Sequence, residues 1–382
     1  MKRHLITLML LVLSTLMVRA QHTVLNGDLN HDGRISVEDI IMMNGVIQGT
    51  AFGEKISSTE KLAYGVTPGG NTAVLLDGQS FSAAIRKLAN GGNNTLQEDN
   101  NVRKITFRKG SSAQNNPVQV CSEVSPRPAC ATYNSETGEV DIFVDATQLL
   151  FPESCSAMFK NFYALTEIDW SAFDTNIDTR NVTDMSSMFS GCLALTSLNL
   201  ASFNTSSVTD MSSMFNECSA LTSLNVTHFD TSKVTDMSYM FNECSALTSL
   251  DVTNFDTGCV TDMSYMFENC ASLDVLDVSS FFTLSVKNME SMFQGCYGLD
   301  VLDVSSFNTS SVRNMSNMFT GCFNLTALKL SYNFTIANAC NTAFMLLATA
   351  NNLDARFQKC TITCSSATQT KLKDPVTEID KS

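Results

Sequence analysis

One stretch of sequence, seen clearly as CSALTSLNVTHFDTSKVTDMSYMF from Cys218 to Phe241, is written again and again along this chain. Measured by its Met-Phe pair it recurs at Phe189, Phe215, Phe241, Phe267, Phe293 and Phe319, always 26 residues apart. An earlier copy ends at Phe159, 30 residues before the next, because Asp174 to Asn181 carries four additional residues. A fixed period of this length restricts the fold severely. Each repeat is a unit that cannot bury its apolar face alone, so neighbours stack and the core runs through the stack.

Nine columns of the repeat stay apolar. In one copy they are Leu195, Leu198, Leu200, Phe203, Val208, Met211, Met214, Phe215 and Cys218. The LxxLxL part has the spacing of a leucine-rich-repeat strand, whose neighbours stack as a parallel sheet. The ValxxMetxxMetPhe part has helical or 3₁₀-like spacing and predicts a short strand or helical turn on the opposite side. The expected fold is therefore α+β, a leucine-rich-repeat solenoid of 26-residue repeats over 155–330.

The flanking sequence predicts the rest of the organisation. Met1 to Ala20 has the basic start, apolar run and small-residue end of a secretory signal. Residues 21–50 hold a calcium-loop pattern, 51–71 read as a linker around Thr67-Pro-Gly-Gly-Asn71, and 72–154 as a small α+β cap. In that cap Thr72 to Leu76 and Val102 to Arg108 read as strands, Ser80 caps a helix through Ala89, Gly110 to Thr137 is loop-like, and Gly138 to Asp145 alternates with Val140, Ile142 and Val144 on one face. After Phe319 the repeat decays into a degenerate C-terminal cap over 331–364, with a helix over Ala337 to Ala350 and a strand over Lys359 to Cys364, and a polar tail over 365–382.

The formal charge of −14 falls by three more units if Lys2, Arg3 and Arg19 leave with the signal, which argues against nucleic acid as a partner. No apolar stretch after the signal reaches the ~20 residues of a membrane helix, so no transmembrane segment is expected in the mature chain. Six of the 13 cysteines (Cys192, Cys218, Cys244, Cys270, Cys296, Cys322) fill one column of the repeat and read as free, buried thiols; others could pair locally, for example Cys121 with Cys130.

The candidate metal site is Asp28-Leu-Asn-His-Asp-Gly-Arg-Ile-Ser-Val-Glu-Asp39. Asp28, Asn30 and Asp32 stand at positions 1, 3 and 5, Gly33 makes the turn, Arg34 offers its carbonyl, Ser36 a further oxygen, and Asp39 closes the loop. A hard cation takes six to eight oxygens, which makes Ca²⁺ the expected ligand. This stretch resembles one half of a dockerin, which implies a cohesin-like partner; dockerins carry two such segments, and one is found here. The other reading is an ion that only staples the N-terminal unit.

No Ser-His-Asp set or zinc spacing can be assembled, and the chain reads as non-catalytic. The polar column expected to face solvent on the strand side is Asp169, Asn199, Asn225, Asp251, Asp277, Asp303 and Lys329, flanked by Thr196 and Ser197, Thr222 and Ser223, and Thr248 and Ser249. It reads either as a binding surface or as a solvated sheet face. A second column, Asp184, Asp210, Asp236, Asp262, Asn288 and Asn314, reads as caps for the turn that follows. Trp170 reads as core, and Tyr239 and Tyr265 as partly exposed.

With its long repeat, LxxLDxSxFDTSxVTxMxxMFxxC, the stretch from 155 to 330 resembles the BspA-like leucine-rich-repeat surface proteins of bacteria. The resemblance implies a secreted or surface-associated protein that binds host or bacterial surface proteins in adhesion. Phe282 in place of Asp or Asn, Phe162 in the cysteine column and Cys259 in place of Ser or Lys depart from that wording.

Overall fold

The nine apolar columns are buried in every copy, and in the copies between 182 and 322 the valine, methionine, phenylalanine and cysteine columns are at most 2% exposed. They form one continuous core with the apolar residues of the preceding segment. The computed structural model describes residues 70–92, 98–112, 117–330, 332–337, 339–346, 361–363 and 368, all of which belong to the unit Thr67–Ser382. The expected signal, calcium loop and most of the linker and tail lie outside the described residues. Among those residues the chain is mixed α/β, with one α-helix and several sheets that contain parallel pairs, none closed into a barrel.

The ValxxMetxxMetPhe segment forms no helix. It is a run of turns in which alternate N–H groups have different destinations. Met188, Ser190 and Cys192 donate to carbonyls three residues back, while Met185, Ser187, Phe189 and Gly191 donate to Asp210, Ser212, Met214 and Asn216 of the next repeat at 2.7–3.0 Å. The i→i−3 bonds account for the 3₁₀-like spacing; the others join the repeats. This alternation requires left-handed backbone at two places per repeat, for example Ser187 (φ 54°) with Gly191 (φ 74°), and Tyr239 (φ 59°) with Glu243 (φ 56°). Left-handed backbone is disfavoured for residues with a side chain, and here the left-handed residues of the turns from Ala157 to Asn317 are each held by an N–H bond to the neighbouring repeat. Beside the turns the phenylalanine rings from Phe159 to Phe319 stack nearly parallel, with centroids 5.5–5.8 Å apart. At the entrance to the turns a parallel bridge runs from Ser154 through Asp184, Asp210, Asp236, Asp262, Asn288 and Asn314 to Asn341.

The leucine side differs from a continuous parallel sheet. Regular pairing occurs only near its ends. At the start β7 (Glu167–Asp169) joins β2 (Lys104–Lys109), and at the far end β9 (Val301–Val304), β10 (Ala327–Leu330) and β11 (Thr361–Thr363) pair in parallel. Between them, the main chain of Leu198, Leu224, Leu250 and Leu276 makes no hydrogen bond to other described residues.

The segment before the repeats adds its strands to the first of them. Strands β1 (Thr72–Val74), β6 (Gln148–Leu150) and β8 (Ile177–Asp178) pair in parallel, and β2 lies between β7 and β5 (Glu139–Val144). Helix α1 (Gly78–Ala89) begins at Asp77 rather than Ser80: the Asp77 carboxylate accepts the Ser80 N–H at 3.0 Å. Its Phe81 meets Phe159 edge-on at 5.5 Å. The expected loop from 110 to 137 contains β3 (Val118–Gln119) and β4 (Ala129–Asn134), which pair antiparallel, and β4 also pairs antiparallel with β5. The prolines just before β4 and its small Ala129 and Ala131, which fit a buried face, conceal a strand. Beyond Phe319, residues 339–346 form turns that continue the repeat pattern rather than a helix: Asn341, Ala343 and Met345 accept from Met315, Asn317 and Phe319.

A buried threonine column completes the joint between repeats. The hydroxyl of Thr179 donates to the Asn204 carbonyl at 2.9 Å and accepts from the Asn204 N–H at 2.7 Å. Thr205, Thr257, Thr283 and Thr309 do the same to the next repeat. Replacing Thr257 by Val keeps the shape but leaves the Phe282 N–H and C=O unpaired. Urea unfolding of Thr257→Val should show a loss of about 1–3 kcal/mol, and Thr257→Ser should recover most of it.

Candidate binding surface

Each repeat turns at three corners, and at all three a short polar side chain accepts the N–H two residues ahead, as Asp and Asn do in turns. On the leucine side these acceptors are Asp169, Asn199, Asn225, Asp251, Asp277 and Asp303, at 2.9–3.1 Å from the N–H groups of Ser171, Ala201, Thr227, Thr253, Ser279 and Ser305. At the second corner Asn204, Asp230, Asp256 and Asn308 act likewise. The third is the column from Asp184 to Asn314, which caps as expected, although it caps a turn and not a helix. The column singled out as a candidate surface thus has a structural duty as well. Phe282 breaks the second-corner pattern: it is 60% exposed, and Leu284 beside it is 45% exposed.

The leucine side carries a shallow trough of about 810 Å³. Asn199, Ser223, Asn225, Ser249, Asp251 and Asp277 line it, and Leu198, Leu224 and Leu250 form its floor. Thr222 and Thr248 are exposed but do not line it, and Asp169 in β7 and Asp303 in β9 also stand outside it. The trough coincides with the four repeats that lack a main-chain ladder. The floor leucines reflect this: Leu198 is 9% exposed, whereas Leu302 and Leu328 in the paired strands are at 0%. Val275 stands at the rim, 73% exposed.

The electrostatics of the trough follow from the corners. The side chain of Thr253, then its N–H, hold the Asp251 carboxyl below the ordinary value, and Ser279 does the same for Asp277. Ser305 holds Asp303 down, with a smaller contribution from Lys329, whose Nζ lies 3.1 Å from its carboxylate. Asp251 and Asp277 have no ion-pair partner among the described residues.

The other singled-out groups serve packing. The cysteine column is free and buried, and the thiols of Cys192, Cys218, Cys244, Cys270, Cys296 and Cys322 donate to phenylalanine carbonyls at 3.1–3.3 Å. Burial pushes Cys192 and Cys244 up to about 12. Cys121 and Cys130, the example of a local pairing that the sequence left open, are free as well: Cys130 lies opposite Gln119 in the β3–β4 pair, while Cys121 bridges to Leu75. Trp170 is in the core, as its column predicts, and its Nε1 donates to the Asn199 carbonyl at 2.7 Å. Nε2 of His228 lies 2.8 Å from the Leu200 carbonyl oxygen. Tyr239 and Tyr265 stack with centroids 4.4 Å apart, and Tyr239 is 37% exposed. The loop residues Asp28, Asn30, Asp32, Arg34, Ser36 and Asp39 lie outside the described residues, among which no group of three His, Cys, Asp or Glu could hold a metal ion. No helix among them is long and apolar enough to cross a membrane.

What the sequence reading did not anticipate is the threonine column and the paired left-handed residues. The first had a signal: Thr179, Thr205, Thr231, Thr257, Thr283 and Thr309 never vary across the copies. The second had little, because Ser, Tyr and Glu do not announce left-handed backbone.

A chain of this kind is a repeat protein whose copies bond in parallel to their neighbours. The family described as "Mycoplasma protein of unknown function, DUF285" matches residues 153–250 and 244–358, together more than half of the chain, and the protein belongs to that family. No curated protein and no solved structure matches it.

The lowered carboxyls give a sign to the acid response. Their stabilisation is complete above the ordinary Asp range, ~3.9, and is lost as pH falls through their depressed values. Asn preserves the capping oxygen, as Asn199 and Asn225 show. In urea titrations between pH 7 and 3 the native chain should lose stability below about pH 4, and Asp251→Asn with Asp277→Asn should flatten that loss while the chain stays folded at pH 7.

Proposed function

We propose that this is an exported bacterial surface or secreted protein. Its repeats form a leucine-rich-repeat solenoid of the BspA-like kind, and that solenoid is a non-catalytic scaffold for protein binding and adhesion. The observation that carries this reading is the trough: it spans four consecutive repeats, has an apolar floor beneath polar and acidic groups, and occupies the part of the leucine side where the main chain forms no regular ladder. Repeat proteins use such extended faces for recognition because neighbouring repeats present equivalent side chains in rows. The signal-like start and the resemblance to surface proteins support export. Host or bacterial surface proteins are the proposed partners.

A second reading rests on the loop from Asp28 to Asp39, whose oxygen ligands at positions 1, 3, 5 and 12 suit Ca²⁺. In it, the chain is a calcium-dependent component of a larger assembly, docked through the dockerin-like segment onto a cohesin-like partner.

The two readings separate in one set of binding assays on candidate surface-protein ligands, using the mature chain with and without calcium. A chain lacking residues 21–50 should bind as tightly as the whole, whereas Ser249→Trp, which fills the trough, should weaken binding at least tenfold with an unchanged thermal midpoint. Loss of binding on the deletion or on calcium removal, with Ser249→Trp unaffected, would instead support docking through the loop.

A further inference from the structure

We infer that the trough takes a cationic polypeptide segment, one in which lysine or arginine side chains are interspersed with small apolar ones. This rests on the proposed scaffold reading and assigns the chemistry of its partner. Three independent observations converge on it. First, the acidic groups at one end of the trough are charged and uncompensated. Asp251 and Asp277 are pinned by Thr253 and Ser279, Asp274 just before Asp277 in the chain is exposed, and neither Asp251 nor Asp277 meets a cation among the described residues. The one carboxylate of this column that does meet a lysine, Asp303, stands just outside the trough and shows the geometry that an incoming cation could adopt.

Second, the apolar component is exposed on the same face. Val275 lines the trough and Val301 follows in the next repeat, at 73% and 44% exposure, where the preceding copies carry Ser197, Ser223 and Ser249. Two valines replacing serines on a solvent-facing column gain nothing from solvent, and they lie beside the carboxylates. A partner that offers only charge would leave them bare.

Third, the trough is elongated: it crosses four consecutive repeats, from Ser197–Asn199 to Val275–Asp277. An extended polypeptide, whose successive side chains point to opposite faces, can follow such a run and present charged and apolar groups along it better than a compact ligand with charge alone. The Asp251 and Asp277 carboxylates stand one repeat apart in the same column, close enough for one flexible lysine to choose between them, so recognition depends on charge density and not on one register.

The test uses the mature chain and three fluorescein-labelled twelve-residue peptides, four repeats each of Lys-Thr-Val, Ser-Thr-Val and Glu-Thr-Val, titrated by anisotropy. The lysine peptide should bind at least tenfold more tightly than the serine peptide, and the glutamate peptide should not bind. Raising NaCl from about 50 to about 300 mM should weaken the lysine peptide severalfold, as screening requires. Asp251→Asn with Asp277→Asn, which keeps the corner acceptors, should cost it fivefold or more with the thermal midpoint unchanged, and Val275→Ser should cost a further twofold. Equal binding of the lysine and serine peptides, or binding that ignores the double Asn variant, overturns the inference. If the lysine peptide does not bind while Ser249→Trp still abolishes capture of a surface protein, the trough is used for a partner of other chemistry, and this inference alone falls. If neither behaves as stated, both readings fall.

Discussion

The structure depends on one arrangement of hydrogen bonds: at the methionine turns, alternate N–H groups point back within the repeat and on to the next one. With two left-handed residues per repeat, a short segment satisfies its own turns and still offers four donors to its neighbour. Because each copy presents the same acceptors at the same places, an insertion or deletion within this segment would displace every donor beyond it. That is why the Met-Phe pair keeps its 26-residue spacing from Phe189 to Phe319, whereas the four additional residues of the first interval fall between Asp174 and Asn181, away from the turns. The phenylalanine stack and the thiol-to-carbonyl bonds occupy the inside of the same segment, and the threonine column ties the following corner. In the middle repeats, most of the hydrogen bonding between neighbours is concentrated on two of the three sides.

The third side is therefore free to vary. From Leu198 to Leu276 the leucine segments are held by their buried side chains while their main chains form no regular ladder, and the outward residues change from serine and asparagine to aspartate and valine along the row. A change there costs little as long as an Asn or Asp remains at the corner. The face proposed for binding is thus the one on which substitution interferes least with stacking, and its charge is set by whether each corner is capped by an amide or a carboxylate.

Much of this was legible in the sequence, for a physical reason. Burial imposes residue type, so Leu195, Leu198, Leu200, Phe203, Val208, Met211, Met214, Phe215 and Cys218 could be read directly as core columns, and the short polar residues before turns as caps. Backbone handedness does not impose residue type so strictly. Ser187, Tyr239 and Glu243 adopt left-handed conformations that tertiary bonds stabilise, and their spacing therefore resembled a helix. The same limit hid β4 behind prolines and placed the α1 cap at Ser80 instead of Asp77, since either residue can accept the bond. The candidate face was legible as a polar column; its division into a trough at Asn199 to Asp277 and paired strands beyond was not, because it depends on the separation of main chains whose sequences are nearly identical.

Amide hydrogen exchange tests the central claim most directly, because it reads each N–H separately. The account predicts that the donors of the methionine turns, such as Ser213, Phe215, Tyr239 and Phe241, exchange slowly and together, while the N–H groups of Asn225, Asp251 and Asp277 on the trough side exchange orders of magnitude faster within the same folded molecule. Strong protection on the leucine side across these repeats, equal to that at the turns, would show a continuous parallel sheet there and contradict the account.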